Sequence, residues 1–162
     1  LDIPLQPDYF PFFEDLLTGA EICQIQIHGL LQSLVENTGG MYHVTPRKNR
    51  FLLEIELENL YNGDLQKLIN IVQASGVFKA PSEMINFLEN LTTSTKLCII
   101  KFVDNMNNPQ PDGYRNVLMY VAIIGRSGPK FVAEICLHLS SLHEQNEKLK
   151  QTDNCLEELR SW

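Results

Sequence analysis

The chain has 162 residues, with 20 acidic and 13 basic side chains and a formal net charge of −7. This length accommodates one domain with one core, and 44% apolar and 20% charged residues are typical of a globular protein. No block of Lys or Arg stands out, which argues against a nucleic-acid or membrane-surface partner, because both bind clustered positive charge. No apolar run is long enough to span a bilayer, and no signal peptide is visible.

The first residue and the cysteines indicate the domain organisation and the cellular compartment of the chain. We expect a single domain over residues 1–162 that belongs to a longer protein, because the sequence begins with Leu1 and not with Met. Residues 1–11 are predicted to be an extended lead-in, since three prolines interrupt them. The four cysteines are far apart and form no C-x-x-C pair, which indicates thiols of an intracellular protein, cytoplasmic or nuclear: Cys23, Cys98, Cys136 and Cys155.

The first part of the chain predicts helices. Apolar residues recur at helical spacing over 12–35, and the Asn-Thr-Gly-Gly run at 37–40 predicts the end of that helix. Residues 41–46 are expected to form a short extended segment or turn. A second helix is predicted over 50–60, and a further helical turn is expected within 65–69.

The middle of the chain predicts two strands around one helix. Residues 69–78 are a mixed apolar run, and residues 96–103 are rich in β-branched side chains, so both are predicted strands. Pro81 begins a helix between them, since proline is favoured in the first turn. Its inward-facing residues are predicted to be Ile85, Leu88 and Leu91.

The last part of the chain predicts a hairpin and a helix. Apolar strands over 117–124 and 131–139 flank a Gly-rich turn, and a final helix is predicted over 140–159. The fold class is therefore α+β: a mixed four- to five-stranded sheet flanked by helices, with long N- and C-terminal helices. We expect the hairpin to form an antiparallel pair at the edge of the sheet.

Several short segments occur in a particular order along the chain: Gly39-Gly40 with Pro46-Arg47-Lys48, then residues 70–77, 103–109, 113–116 and 130–138. In this order they resemble the RelA/SpoT-like nucleotide pyrophosphokinase domain, a member of the nucleotidyltransferase superfamily. The order and spacing of the segments together carry the resemblance. The resemblance implies transfer of pyrophosphate from ATP to the ribose 3′-oxygen of a guanosine nucleotide.

The resemblance also implies candidate site residues. Lys48 stands at the family's first phosphate-binding lysine, and Arg50 is a further candidate for nucleotide binding. Tyr114 matches the aromatic residue that stacks on guanine, and Arg115 follows it. Glu134 matches the strand carboxylate that holds metal or takes the proton. Such chemistry needs cations for the phosphates, carboxylates for Mg²⁺ and a base near the attacking hydroxyl.

Other functional groups of the family are missing from this chain. Glu56 stands at the second basic position, and a carboxylate about 4 Å from a phosphate charge is repelled by about 4 kcal/mol at an effective dielectric constant of 20. The polar position between the two falls at Leu52. The Mg²⁺-binding aspartate falls at Asn70, and an arginine falls at Gln73. Loss of one preorganised electrostatic group typically costs ~10²–10³ in rate.

These losses predict a catalytically inactive pseudo-synthetase domain that serves as a protein-interaction or regulatory module, with a protein partner, no metal and no cofactor. Glu134 would then be vestigial. The alternative is an active or nucleotide-sensing (p)ppGpp-synthetase-like pyrophosphokinase that binds ATP and GTP with Mg²⁺. Structural roles also remain open: Glu134 pairs with a Lys or Arg or lies on a solvated face, Tyr114 covers a sheet edge, and Lys48 and Arg50 are surface charges at a helix start.

Overall fold

The computed structural model describes residues 4–111, 113 and 115–142. Within them, the predicted helices and strands are present, with shifted ends. The helix predicted over 140–159 lies outside the described residues beyond 142. The elements in chain order are α1 (Phe13–Asn37), β1 (Met41–Val44), α2 (Arg50–Tyr61), a 3₁₀ turn (Leu65–Lys67), β2 (Gln73–Phe78), α3 (Pro81–Thr92), β3 (Leu97–Asp104), β4 (Val117–Gly125) and β5 (Gly128–Leu139).

The strands form a mixed five-stranded sheet in the order β1-β2-β5-β4-β3. Strands β2 and β5 are parallel, and the other neighbouring strands are antiparallel. The prediction that the β4–β5 hairpin lies at the edge of the sheet is therefore wrong. Each hairpin strand has a second neighbour, because β2 pairs with the outer side of β5 and β3 pairs with the outer side of β4.

Helices α1 and α3 cover one face of the sheet and form the main core with it. Phe87 takes the sheet-facing position of α3, because its ring packs on Phe78 of β2 with the ring centroids 5.5 Å apart. Ile85, which was predicted to face inward, is instead 54% exposed. The prediction holds for Leu91, which is buried, and for Leu88, which packs partly buried against the core. The other residues that α3 buries are Met84 and Phe87.

The predicted stop after α1 is confirmed. The helix ends at Asn37, and Gly39 adopts a φ of 88°, a conformation that favours glycine. The Gly40 N–H donates to the Val35 carbonyl at 3.0 Å. A Cβ on Gly40 would lie 2.8 Å from both Phe78 and Val35, so the chain passes close to the core here and enters β1 directly.

The lead-in is bound to the sheet through the side chain of Gln6, which is only 2% exposed. Its Nε2 donates to the Val132 carbonyl at 2.8 Å, and its Oε1 accepts from the Val132 N–H at 2.9 Å. One side-chain amide thus supplies the hydrogen bonds that a neighbouring strand would supply to β5. The Gln6 backbone N–H donates to the Gln66 carbonyl at 2.7 Å, which joins the 3₁₀ turn to the same place.

We expect Gln6→Ala to lower the free energy of unfolding by about 2 kcal/mol, because it leaves the buried N–H and C=O of Val132 without partners. Urea denaturation measures the change. Gln32→Ala is the matched control, since Gln32 donates to Glu36 on the exposed surface of α1, and its effect is expected to stay within about 0.5 kcal/mol. Equal losses in the two variants would contradict this role for Gln6.

Candidate functional site

A row of polar side chains crosses the face of the sheet opposite α1 and α3. Strand register aligns Gln73 on β2 with Glu134 on β5, and Glu134 with Tyr120 on β4. Tyr120 is in turn aligned with Lys101 on β3. Met119, the residue before Tyr120, lies in the main core, so the alternation of side chains along a strand places Tyr120 on the opposite face.

Glu134 accepts a hydrogen bond from a neutral donor in this row. Gln73 Nε2 donates to it at 2.8 Å, and Tyr120 stands beside it in the register of β4 and β5. Burial, followed by the charge of Glu134, raises the pKa of Tyr120, so its hydroxyl remains a donor at neutral pH. Among the described residues no Lys or Arg forms an ion pair with Glu134. The hydrogen bond that the half-buried carboxylate accepts here thus comes from a neutral amide.

A second group of contacts joins the start of α2 to the segment before β2. The Lys48 ammonium forms an ion pair with Glu56 Oε1, and Glu56 Oε2 accepts from Asn70 Nδ2 at 3.2 Å. The structure thus brings together three residues that the resemblance places at phosphate- and metal-binding positions. Both oxygens of Glu56 have partners, and Lys48 is bound to a carboxylate of its own chain.

Local structure explains the placement of Lys48 and Glu56. Helix α2 begins after Asn49, whose Oδ1 accepts from the Leu52 N–H at 2.9 Å, as is typical of a helix N-cap. Lys48 therefore lies just outside the helix, and Glu56 lies inside it. Leu53 and Leu57 are the buried residues of α2.

Arg50 lies in the first turn of α2 and contacts different groups from Lys48. Its Nε donates to Glu54 at 2.8 Å, and its Nη1 forms an ion pair with Glu14 of α1. The guanidinium also stacks over the Phe13 ring, 5.7 Å from the centroid. The structure therefore separates Arg50 from the contacts of Lys48.

Arg115 lies at the end of the loop between β3 and β4. Its Nη1 donates to the Met106 carbonyl at 2.8 Å. The base of this loop is closed by two buried amides, since Asn105 Nδ2 donates to Asn116 Oδ1 at 2.9 Å. Tyr114 lies outside the described residues.

At the positions that the resemblance matches to metal ligands, the chain offers one carboxylate and one amide. These are the Glu134 carboxylate, which accepts from Gln73, and the Asn70 amide oxygen, which is buried and accepts no hydrogen bond. An amide oxygen carries no charge to offset the dehydration of Mg²⁺. No group of three or more His, Cys, Asp or Glu that could hold a metal occurs in the described part of the chain.

Tyr120 is the site residue that sequence reasoning did not find. It lies within an apolar strand, and its role depends on the two strands beside β4. Alternation along β4 would have placed it on the face opposite Met119 and Val121. The predicted hairpin contains both residues, and its register pairs Tyr120 with Glu134.

Structure comparison places the fold among alarmone synthetases. Small alarmone synthetase 2 from Bacillus subtilis superposes with a TM-score of 0.66 at 16% identity, covering 90% of this chain and 81% of that one. Small alarmone synthetase 1 from the same organism, bound to its product pppGpp, gives 0.60 at 13% identity, with coverages of 92% and 96%. The Type VI effector Tas1, solved in complex with its immunity protein, gives 0.62 at 20% identity and 88% coverage of this chain, which spans 66% of the Tas1 chain.

These similarities confirm the predicted RelA/SpoT-like fold. No family model matches the sequence, and no curated protein matches it. Among the helices of the described residues, none has the length and apolar character needed to cross a membrane.

We expect a double-mutant cycle with Lys48→Met and Glu56→Gln to give a coupling energy of about 1 kcal/mol, at the upper end for exposed pairs. The reason is partial burial, since the two side chains are 32% and 22% exposed. Urea denaturation measures each variant. The Arg50–Glu54 pair, whose side chains are 57% and 45% exposed, is the matched control, and a coupling as large in that pair would contradict the expectation.

The pKa of Tyr120 predicts how stability depends on pH. Because the folded state raises this pKa above the ordinary value of about 10, the folded protein holds the proton more tightly than the unfolded chain does. The stabilisation is complete below about pH 10 and declines as pH rises further. Tyr120→Phe should make the decline of unfolding free energy above pH 10 less steep, and an unchanged slope would contradict this assignment.

Proposed function

We propose that this chain is a catalytically inactive RelA/SpoT-like pseudo-synthetase domain that serves as a protein-interaction or regulatory module of a larger intracellular protein. The contact of Lys48 with Glu56 carries the proposal. A lysine matched to phosphate binding is neutralised by a carboxylate that stands where the family has a second basic residue. A triphosphate would have to displace this carboxylate and would meet its repulsion.

The amides at Asn70 and Gln73 support the same proposal. Each donates to a carboxylate of the site, Asn70 to Glu56 and Gln73 to Glu134. In an active site, these positions would offer negative charge to a metal and positive charge to phosphate. Here the polar groups bind one another, which leaves little preorganised charge to stabilise a transition state.

An apolar patch on α2 favours a protein partner. Phe51, Leu52 and Ile55 are 67%, 46% and 39% exposed, and they lie on one side of the helix. Leu52 stands at the position where the family has a polar residue, between Lys48 and Glu56. Contiguous exposed apolar side chains are typical of protein interaction surfaces, whereas single exposed apolar residues are common everywhere on a protein.

A nucleotide-binding role is the second candidate, because Glu134 is retained and Tyr114 and Arg115 match the guanine-binding segment. An active enzyme would transfer pyrophosphate from ATP to GTP, and its product would vanish in Glu134→Gln. A nucleotide sensor would show a thermal shift with guanine nucleotides that Tyr114→Ala abolishes.

Two measurements on the intact chain test the proposal. Calorimetric titration with ATP and with GTP, each with Mg²⁺, is expected to show no micromolar binding. Incubation with labelled ATP and GTP, analysed by chromatography, is expected to show no product. Micromolar binding of both nucleotides, or a product that depends on Glu134, would overturn it.

A gain-of-function variant tests the role assigned to Glu56. We expect Glu56→Gln to strengthen the binding of inorganic tripolyphosphate by about tenfold, because it frees Lys48 and removes one repulsive charge. Glu54→Gln is the matched control, since Glu54 pairs with Arg50 and lies away from the Lys48 contact. No gain in Glu56→Gln, or an equal gain in both variants, would show that the Lys48–Glu56 pair does not block phosphate.

A further inference from the structure

A separate cavity of about 330 Å³ lies where the turn of the β4–β5 hairpin meets α1. Its volume is within the range of small-molecule sites. We call it the hairpin cavity. Its walls are mainly apolar, with two hydroxyls, a thiol and an ammonium group among the lining residues: Tyr9, Phe10, Gly19, Ile22, Cys23, Ser127 and Lys130.

Contacts outside the cavity hold its aromatic walls in place. The Tyr9 hydroxyl donates to the carbonyls of Pro129 and Lys130. The Phe10 ring packs edge-on against Phe131, with centroids 6.2 Å apart. Gly19 permits this position of Phe10, because a Cβ on Gly19 would lie 2.6 Å from Phe10 Cε1. The hairpin cavity therefore has preformed walls.

Lys130 supplies positive charge at this cavity. Its aliphatic stem crosses Gly125, where an added Cβ would lie 3.0 Å from Lys130 Cδ, so the absence of a side chain at Gly125 makes room for the stem. No carboxylate of the described residues forms an ion pair with Lys130. Burial raises the pKa of the Cys23 thiol in the cavity wall, and the charge of Lys130 opposes that shift.

We propose that the hairpin cavity binds a small amphipathic molecule with a single carboxylate. Its apolar body would lie against Tyr9, Phe10 and Ile22, and its carboxylate would bind the Lys130 ammonium and accept from the Ser127 hydroxyl. An ammonium without a protein carboxylate attracts an anion, whereas apolar walls favour a ligand with little other charge. This inference stands apart from the proposed function, because the residues of the two places do not overlap.

Decanoate is the probe, used below its micelle concentration with the intact chain and measured by calorimetry. We expect saturable binding with one site per chain. Lys130→Gln should weaken it about fivefold, the effect of losing one exposed ion pair. Lys79→Gln is the matched control, because Lys79 is exposed and lies outside the cavity, and decanoate affinity should be unchanged in it.

Two further measurements separate the head group from the apolar body. Decan-1-ol should bind Lys130→Gln and the unchanged protein equally, since it has no charge. Ile22→Glu places a carboxylate at an exposed position of the cavity, where Ile22 is 70% exposed, and should abolish decanoate binding without unfolding the chain. No saturable binding, equal affinity of decanoate for Lys130→Gln, or equal binding of decyltrimethylammonium would overturn the proposal.

Discussion

The Glu56 carboxylate determines which side chains are compatible at the candidate site. It binds the Lys48 ammonium with one oxygen and the Asn70 amide with the other. An aspartate at position 70 would place two carboxylates within hydrogen-bond distance, and one of them would have to take up a proton or move away. An amide donates to the same oxygen and avoids that repulsion. The acidic residue at 56 and the neutral residue at 70 are therefore two parts of one electrostatic arrangement.

The same logic holds at the centre of the sheet, where parallel pairing of β2 and β5 sets Gln73 beside Glu134. Since side chains alternate along a strand, a slip of one residue in this register would put either partner on the core face. Gln6 in the lead-in supports this register, because it binds β5 at Val132. Two residues further along β5, the hydrogen bonds to the segment of β2 begin, since the Glu134 N–H donates to the Val72 carbonyl at 3.0 Å. The polar contacts of the site thus depend on the construction of the sheet.

Local sequence patterns were sufficient for the helices, the hairpin and the fold class, because helical spacing, glycine stops and strand alternation act over a few residues. They were insufficient where a residue's role depends on a distant neighbour. Gln6 reads as part of a proline-rich lead-in until β5 is known to need a partner at Val132. In the same way, Tyr120 reads as one more apolar strand residue, and Ile85 reads as inward-facing until the Phe87 ring is seen to pack on β2. At the candidate site, the partners of Glu56 and Glu134 are visible only in the folded chain, because they join residues that are far apart in the sequence.

The local charge differs between the candidate site, where Lys48 pairs with Glu56, and the hairpin cavity, which Lys130 lines. The net charge of −7 repels anions in general, and the repulsion grows with the charge of the ligand, so a nucleoside triphosphate is disfavoured far more than a monocarboxylate. At the candidate site, Glu56 adds local repulsion to this general field and forms an ion pair with Lys48. At the hairpin cavity, no described carboxylate pairs with Lys130, and apolar walls offset part of the cost of bringing an anion to an acidic protein. The arrangement of charge thus disfavours a polyanion beside Lys48 and Glu56 more strongly than a singly charged apolar ligand at the hairpin cavity.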